Sequence, residues 1–172
     1  MNREEKTLTL LEMMVALVIF SVVIVAGGVL FVSVQDSWRR QKNILDAFQN
    51  IGWAIEFMSN ELRRAGNVNP SGENGIEFCI DPDSDGHGPW LWVEYSYDSI
   101  THKIRRRWRQ TGPWSAYKDL AKSVVSNPSG NDFFTLGTDT VTIELTTRPN
   151  PDEPAGRGNP NYTLVTTVRI RN

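Results

Sequence analysis

The sequence predicts an α+β protein in which one long N-terminal helix precedes an antiparallel β-sheet. The chain opens with an apolar segment and continues with apolar residues at helical spacing, up to about residue 65. From residue 76 onward, apolar and polar residues alternate instead. These two periods indicate a helix followed by strands, and 172 residues leave room for one modest domain and an anchor.

The anchor is predicted by residues 13–34, an uncharged segment whose only polar side chains are Ser21 and Ser33. As a helix, this segment would be about 33 Å long, which suffices to cross the hydrocarbon core of a bilayer. A cleaved secretory signal fits poorly, because its apolar stretch is usually only about 7–15 residues long. We therefore expect a transmembrane helix.

An amphipathic pattern follows the anchor. Its apolar residues recur at spacings of three and four, as on one face of a helix; they are Ile44, Phe48, Ile51, Ile55, Met58, Leu62 and Ala65. Gly66 comes after two arginines and is a suitable helix end. We expect one continuous helix from about Leu8 to Ala65 that packs this stripe on the following domain. A freestanding coiled coil is the alternative, although three heptads are short for one.

Three segments with a period of two predict strands that each bury one face: residues 90–97, 140–146 and 164–170. Residues 115–126 predict either a short helix or an irregular edge. Residues 148–161 are rich in Pro, Gly and Asn and predict a long mobile hairpin loop.

Composition excludes several classes of function. The net charge is −2, so no global positive charge indicates a nucleic-acid partner. Cys79 is the only cysteine, which excludes an internal disulfide. The chain has two histidines and contains no HExxH, Walker A, GxSxG or complete GxGxxG pattern, so we expect no enzymatic activity.

The segment TLTLLEMMVALVIF resembles the prepilin-type N-terminus of type IV pilins and type II secretion pseudopilins. In that family a short leader is followed by an apolar residue, Thr, two aliphatic residues, Glu and a long apolar run. The matching positions are Leu8, Thr9, Leu10, Leu11 and Glu12. The resemblance implies a pilin fold with a leader at 1–7, a transmembrane helix at 8–34, an amphipathic helix half at 35–66 and an antiparallel β-sheet domain at 67–172.

The resemblance also implies a processing site and an assembly contact. In the family, a prepilin peptidase removes the leader and methylates the new N-terminus, which here would be Leu8. Glu12 would pair with the N-terminal amine of a neighbouring subunit, because a carboxylate in a low dielectric needs a partner. The alternative for Glu12 is an acid that is merely solvated near the membrane interface. Thr7 stands where the family almost always has Gly, and its Cβ and hydroxyl are expected to impair cleavage between Thr7 and Leu8.

Later segments resemble the minor-pilin and J-type pseudopilin subgroup, namely FMSNELRRAGN, WVEYSYDSITHKIRRRW, DLAKSVVS and TTVRIRN. The implied function is that of a minor pilin or pseudopilin, a structural subunit that acts in the initiation or at the tip of a type IV pilus or type II secretion pseudopilus. The implied partners are other pilins or pseudopilins, the prepilin peptidase and the inner-membrane assembly platform. The protein would span the bacterial inner membrane once, with its globular domain on the periplasmic or extracytoplasmic side.

The loop DPDSDGHG carries three carboxylates at alternate positions, those of Asp81, Asp83 and Asp85. A glycine turn follows, as at the start of an EF-hand loop, and the backbone carbonyl of His87 would fall at the next ligand position. The twelfth position is Trp92, so Glu77 or Glu94 would have to supply the closing carboxylate. The loop therefore predicts either a Ca²⁺ site or an acidic turn, and a membrane-tethered calcium-binding module is an alternative function.

The segment KIRRRWRQ predicts a basic strand. Four cations at a period of two would share one face, those of Lys103, Arg105, Arg107 and Arg109. Trp108, on the opposite face, offers a stacking surface. Such a stripe can bind DNA phosphates, which makes a competence-type DNA-binding pilin an alternative function. We favour a solvated edge strand whose charges discourage aggregation, and nucleic acid is not an expected partner.

Overall fold

The structure, a computed structural model, describes residues 9–72, 74–80, 90–128, 130, 132–156 and 158–170. It contains one long helix followed by antiparallel strands, which confirms the predicted α+β layout. The chain forms two compact units, Met1–Lys42 and Asn43–Asn172.

Helix α1 spans Leu10–Leu62. Within the first unit, all side chains of residues 10–42 are exposed, including the apolar ones of the predicted anchor. By length and composition, α1 can cross a membrane. This property is compatible with single-pass anchoring.

The part of α1 in the second unit buries a stripe that differs from the predicted one. Six of its residues are buried, namely Ala47, Ile51, Ala54, Met58, Ser59 and Leu62. Ile44 and Ile55 are only half-buried and Phe48 is exposed, because the small side chains of Ala47 and Ala54 occupy the centre of the buried face instead. The predicted helix end was three residues late, since Ala65 already belongs to the first strand.

Five strands form one antiparallel sheet in the order β1-β2-β3-β4-β5. They are β1 (Ala65–Pro70), β2 (Gly75–Ile80), β3 (Leu91–Asp98), β4 (Lys103–Arg109) and β5 (Lys118–Ala121). The basic segment therefore lies between β3 and β5. The prediction of an edge strand there was wrong, because residues 118–121 add a further strand outside it.

A second antiparallel sheet contains β6 (Val124–Val125), β7 (Phe134–Leu136), β8 (Thr140–Thr147) and β9 (Tyr162–Arg169). Strand β8 pairs with β6, β7 and β9. The three strands predicted from alternation correspond to β3, β8 and β9. The segment at 115–126 forms β5 and β6, so the helical alternative is wrong.

The core contains apolar side chains from α1 and from both sheets. Tyr95 of β3 lies at its centre, fully buried, with its ring centroid 5.5 Å from that of Phe78 and 6.3 Å from that of Phe134. Met58 and Leu62 of α1 and Ile143 of β8 are fully buried in the same cluster. One continuous core therefore holds this part of the helix and the two sheets together.

The loop between β8 and β9 is organised by one side chain. Asn159 is buried, and its Nδ2 donates to the carbonyls of Asn150 at 2.7 Å, Glu153 at 3.2 Å and Pro154 at 3.4 Å. Its Oδ1 accepts a hydrogen bond from the backbone N–H of Asn150 at 2.9 Å. The Pro- and Gly-rich sequence thus forms an internally hydrogen-bonded loop.

Candidate functional site

The first candidate residue, Glu12, is part of a capping box at the start of α1. The helix begins at Leu10, which makes Thr9 the N-cap residue and Glu12 the third residue of the first turn. Oε2 of Glu12 accepts hydrogen bonds from the Thr9 backbone N–H at 2.9 Å and from the Thr9 hydroxyl at 3.1 Å. The Glu12 N–H donates in return to Oγ1 of Thr9 at 3.3 Å. Two backbone donors that the helix leaves unpaired are satisfied in this reciprocal way.

This arrangement gives the carboxylate of Glu12 a partner within its own chain. An acid at an N-terminal turn is also favoured by the helix dipole. The predicted pairing of Glu12 with another subunit stays a prediction, and in such a contact the new partner would compete with Thr9. The predicted cleavage site, Thr7 and Leu8, lies outside the described residues.

The predicted calcium loop, with Asp81, Asp83, Asp85 and the carbonyl of His87, also lies outside the described residues. Glu94, a proposed closing ligand, is 5% exposed on β3. Its carboxylate forms an ion pair with Arg107 and accepts hydrogen bonds from the Ser71 hydroxyl at 3.2 Å and the Tyr117 hydroxyl at 3.4 Å. A cation bound by Glu94 would therefore have to compete with a guanidinium, and the Ca²⁺ site stays a prediction.

The basic strand β4 places its four period-two cations on one face, as predicted. Each of them forms an ion pair with a carboxylate: Lys103 with Asp119, Arg105 with Asp98, Arg107 with Glu94 and Arg109 with Glu77. The first two pairs are 2.5 Å long and the last is 3.3 Å long. Three of the acids lie on β3 and β5, which flank β4, and Glu77 lies on β2, one strand further across the sheet. Because each cation already has a carboxylate partner, the arrangement does not favour a phosphate-binding stripe.

Aromatic rings cover the three arginines of this face. Trp114 lies with its ring 4.8 Å from the guanidinium of Arg107 and 4.5 Å from that of Arg109. The ring of Tyr117 is 5.1 Å from the guanidinium of Arg105 and 4.7 Å from that of Arg107. Both aromatic residues come from the segment that connects β4 to β5. The face predicted to be a solvated stripe is thus a layer of ion pairs and cation–π contacts.

The opposite face of β4 carries an ion pair that the sequence analysis missed. Arg106 donates from Nε to Oε2 of Glu61 at 3.0 Å and from Nη2 to Oε1 at 2.6 Å, a bidentate pair between β4 and α1. The Tyr95 hydroxyl donates to the same carboxylate. Trp108 packs beside it, with the Arg106 guanidinium 5.1 Å and the Lys118 ammonium 4.8 Å from its ring. Glu61 therefore fixes the end of α1 to two strands.

Burial and charge shift the pKa values in this network. Burial, with the charge and hydrogen bond of Glu61, raises the pKa of the Tyr95 hydroxyl far above its ordinary value. Burial acts to lower the pKa of Arg106, but the hydrogen bonds and charge of Glu61 outweigh it and raise that pKa. Arg106 is thus charged and Tyr95 neutral at any physiological pH. The sequence places Arg106 on the same strand face as Trp108, but nothing in it singles out Glu61, 45 residues away, as the partner.

Comparison of the chain with protein-family models, with curated proteins and with solved structures finds no match in any of the three. Within the described residues, no group of three or more His, Cys, Asp or Glu side chains is placed to hold a metal ion.

Proposed function

We propose that this protein is a subunit of a pilus-like filament, a minor pilin or pseudopilin that α1 holds in the bacterial inner membrane before assembly. The supporting observation is the contrast within α1. Residues 10–34 expose each of their large apolar side chains, whereas α1 is packed on the sheets from Ala47 onward. An apolar surface of this size is unfavourable in water. In the proposed function, lipid covers it in the membrane and the helices of other subunits cover it in the filament.

The contribution of Glu12 to assembly can be separated from its contribution to the capping box. In the proposed filament, Glu12→Ala removes both the intersubunit contact and the cap. Thr9→Ala weakens the cap but keeps the carboxylate. We expect Glu12→Ala to insert normally into the membrane and to lower incorporation into filaments at least tenfold, while Thr9→Ala lowers it much less.

The measurement is the amount of each variant in sheared or purified filaments relative to the amount in the membrane. Equal incorporation of Glu12→Ala and the unchanged protein would refute the assembly contact. An equal loss in both variants would assign the effect to the helix start instead.

Intact-mass analysis of the membrane-extracted protein tests the family assignment directly. A mature chain that begins at a methylated Leu8 would support the prepilin pathway, and it would show that Thr7 permits cleavage. A chain that retains residues 1–7 in a strain with active prepilin peptidase would contradict processing. Deletion of the gene then separates the two filament types, since it would abolish either surface pili or protein secretion.

A further inference from the structure

Among the strands of the described residues, β9 is an edge strand without the protection that the other edge strands carry. Proteins usually protect an exposed edge by short length, charge, proline or a bulge. β1 has a bulge near Ala65 and ends at Pro70, and β5, β6 and β7 have four, two and three residues. β9 has eight residues, pairs with β8 without a register shift, and has no proline or charged side chain between Tyr162 and Val168.

The register shows which backbone groups of β9 point away from β8. In an antiparallel ladder the N–H and C=O of one residue point to the same side, and the side alternates along the strand. The N–H of Glu144 donates at 2.9 Å to the carbonyl of Phe133, on the β7 side, so Val165 opposite Glu144 turns its backbone groups away from β8. A hydrogen bond from Ile170 N–H to the Asp139 carbonyl at 3.0 Å shows the same alternation, because it directs the backbone of Ile170 towards β8. The outward residues are Thr163, Val165, Thr167 and Arg169.

A groove of about 360 Å³ runs beside this free edge. One wall is a face of α1 between Gly52 and Arg63, and the other consists of the consecutive residues 164–166 of β9. Neighbouring side chains of a strand point to opposite faces of the sheet. Three consecutive residues of β9 can therefore line the groove together only because the groove lies along the edge of the strand. The helical wall is about 16 Å long, which matches about five residues of an extended chain.

Some polar groups in the groove lack hydrogen-bond partners within the described part of the chain. Ser59 is 6% exposed, lines the groove, and its Oγ has no hydrogen-bond partner there. The outward N–H and C=O of Val165 likewise have no partner among the described residues. A buried hydroxyl without a hydrogen bond is unfavourable, because its lost contacts with water are not replaced. Glu56 and Arg63 add one charge of each sign to the helical wall.

We propose that this groove binds one extended peptide segment of another protein, which adds to β9 as a further strand. The backbone of the segment pairs with the outward groups of β9, and its polar groups reach Ser59. The matching segment is rich in β-branched residues and carries a cation that faces Glu56 and an acid that faces Arg63. A single extended chain fits between helix and strand, whereas the β9 of a second copy is flanked by its own α1. This inference is independent of the filament role.

The test uses the full chain in detergent micelles and three seven-residue peptides of alternating Thr and Val, capped at both ends. One peptide has Lys before Glu, the second has Glu before Lys, and the third is uncharged. We expect at least one charged peptide to slow amide exchange at Thr163, Val165 and Thr167 at least tenfold. The amide of Thr166, which lies in the ladder with β8, should not change. The absence of slowing by all three peptides at about 1 mM, where even weak strand addition is detectable, would overturn the proposal.

Proline variants of β9 test whether the peptide pairs with the outward backbone groups of this strand. Val165→Pro removes the outward N–H and should abolish the slowing, whereas Val165→Ala keeps the N–H and should preserve it. Thr163→Pro is a second variant of the same kind if Val165→Pro does not fold. Binding that survives both proline variants would refute strand addition. Slower exchange at the outward amides on raising the protein concentration alone would identify the occupant as a second copy and would overturn the proposal of a separate peptide.

Discussion

In the five-stranded sheet the polar side chains are mainly charged and paired, whereas in the four-stranded sheet they are mainly hydroxyls and amides. Among the described residues, strand β4 alone contributes five ion pairs, four on its outer face and one to α1. In the second sheet, Oγ1 of Thr146 contacts Thr163 at 2.8 Å and Asn127 at 3.0 Å, and Thr142 contacts Thr167 at 3.0 Å. Both sheets share one core, so the contrast lies in the polar groups.

This difference indicates two ways in which the stability and strand register of a sheet can be determined. Partly buried charges are expensive to desolvate and are tolerated only when each has a partner, so the loss of one partner is strongly destabilising. Hydroxyl pairs are weaker, and the register of the second sheet depends more on its backbone ladder. We therefore expect the first sheet to be sensitive to changes of charge and pH, and the second to changes of backbone.

The largest effect is expected for Glu61→Ala. This change leaves the guanidinium of Arg106 and the hydroxyl of Tyr95 without their shared carboxylate. We expect the free energy of unfolding to fall by about 3 kcal/mol, seen as a Tm lower by about 10 °C in thermal unfolding followed by near-UV circular dichroism. The control is Glu56→Ala, an exposed acid of the same helix with no ion pair among the described residues, which should change stability by less than about 0.5 kcal/mol. Similar losses in both variants would contradict the role of Glu61.

The next largest effect is expected in the second sheet, where it tests the dependence on the backbone ladder. Thr166 faces Ile143, and its N–H points to β8, so Thr166→Pro removes a ladder hydrogen bond and should destabilise the protein by about 2 kcal/mol. Val165→Pro removes an outward N–H and should have less than half of that effect. The measurement is the denaturant midpoint of the two variants. If Val165→Pro lowers the denaturant midpoint more than Thr166→Pro does, the assignment of inward and outward residues in β9 is wrong.

The smallest effect concerns Asp98. Hydrogen bonds from Thr101 and Ile100, together with the charge of Arg105, hold the pKa of this carboxyl below its ordinary value. The ionised form is therefore favoured in the folded state, and its contribution is fully present above about pH 4 and is lost as the pH falls through the lowered pKa. We expect Asp98→Asn to lower the free energy of unfolding at pH 7, where the ionised carboxyl contributes, and its difference from the unchanged protein to shrink as the pH falls below about 4, so that the acid limb of the stability curve is flatter. A matching substitution in the second sheet, Thr142→Val, should leave the slope of that limb unchanged.

The regular elements could be predicted from sequence because each has a period of its own. The alternation in β3, β8 and β9 and the apolar repeat of α1 all describe one element at a time. The helical face was misjudged because Ala47 and Ala54 are weak apolar signals, although small residues allow close packing against a sheet. The capping box is visible in the sequence as Thr9 followed three residues later by Glu12, but the same two residues also match the prepilin-type motif before the apolar run, which predicts an assembly contact instead.

The polar layer on β4 could not be predicted, because its partners come from distant positions. Arg109 pairs with Glu77 and Arg106 with Glu61, which are 32 and 45 residues away. A run of cations looks the same in the sequence whether it faces water, phosphate or carboxylates. Only the register of β2, β3 and β4 decides among these, and register depends on the whole sheet.

The hydrogen bonds of Asn159 have a consequence for how the protein withstands proteases. A loop with so many Pro and Gly residues is an ordinary site of nicking, because a protease must pull several residues into an extended form. Here that step first requires Asn159 to release three carbonyls and one N–H. Cleavage in residues 148–161 should therefore follow the rate of a local opening, and Asn159→Ala should accelerate it while leaving the sheets folded.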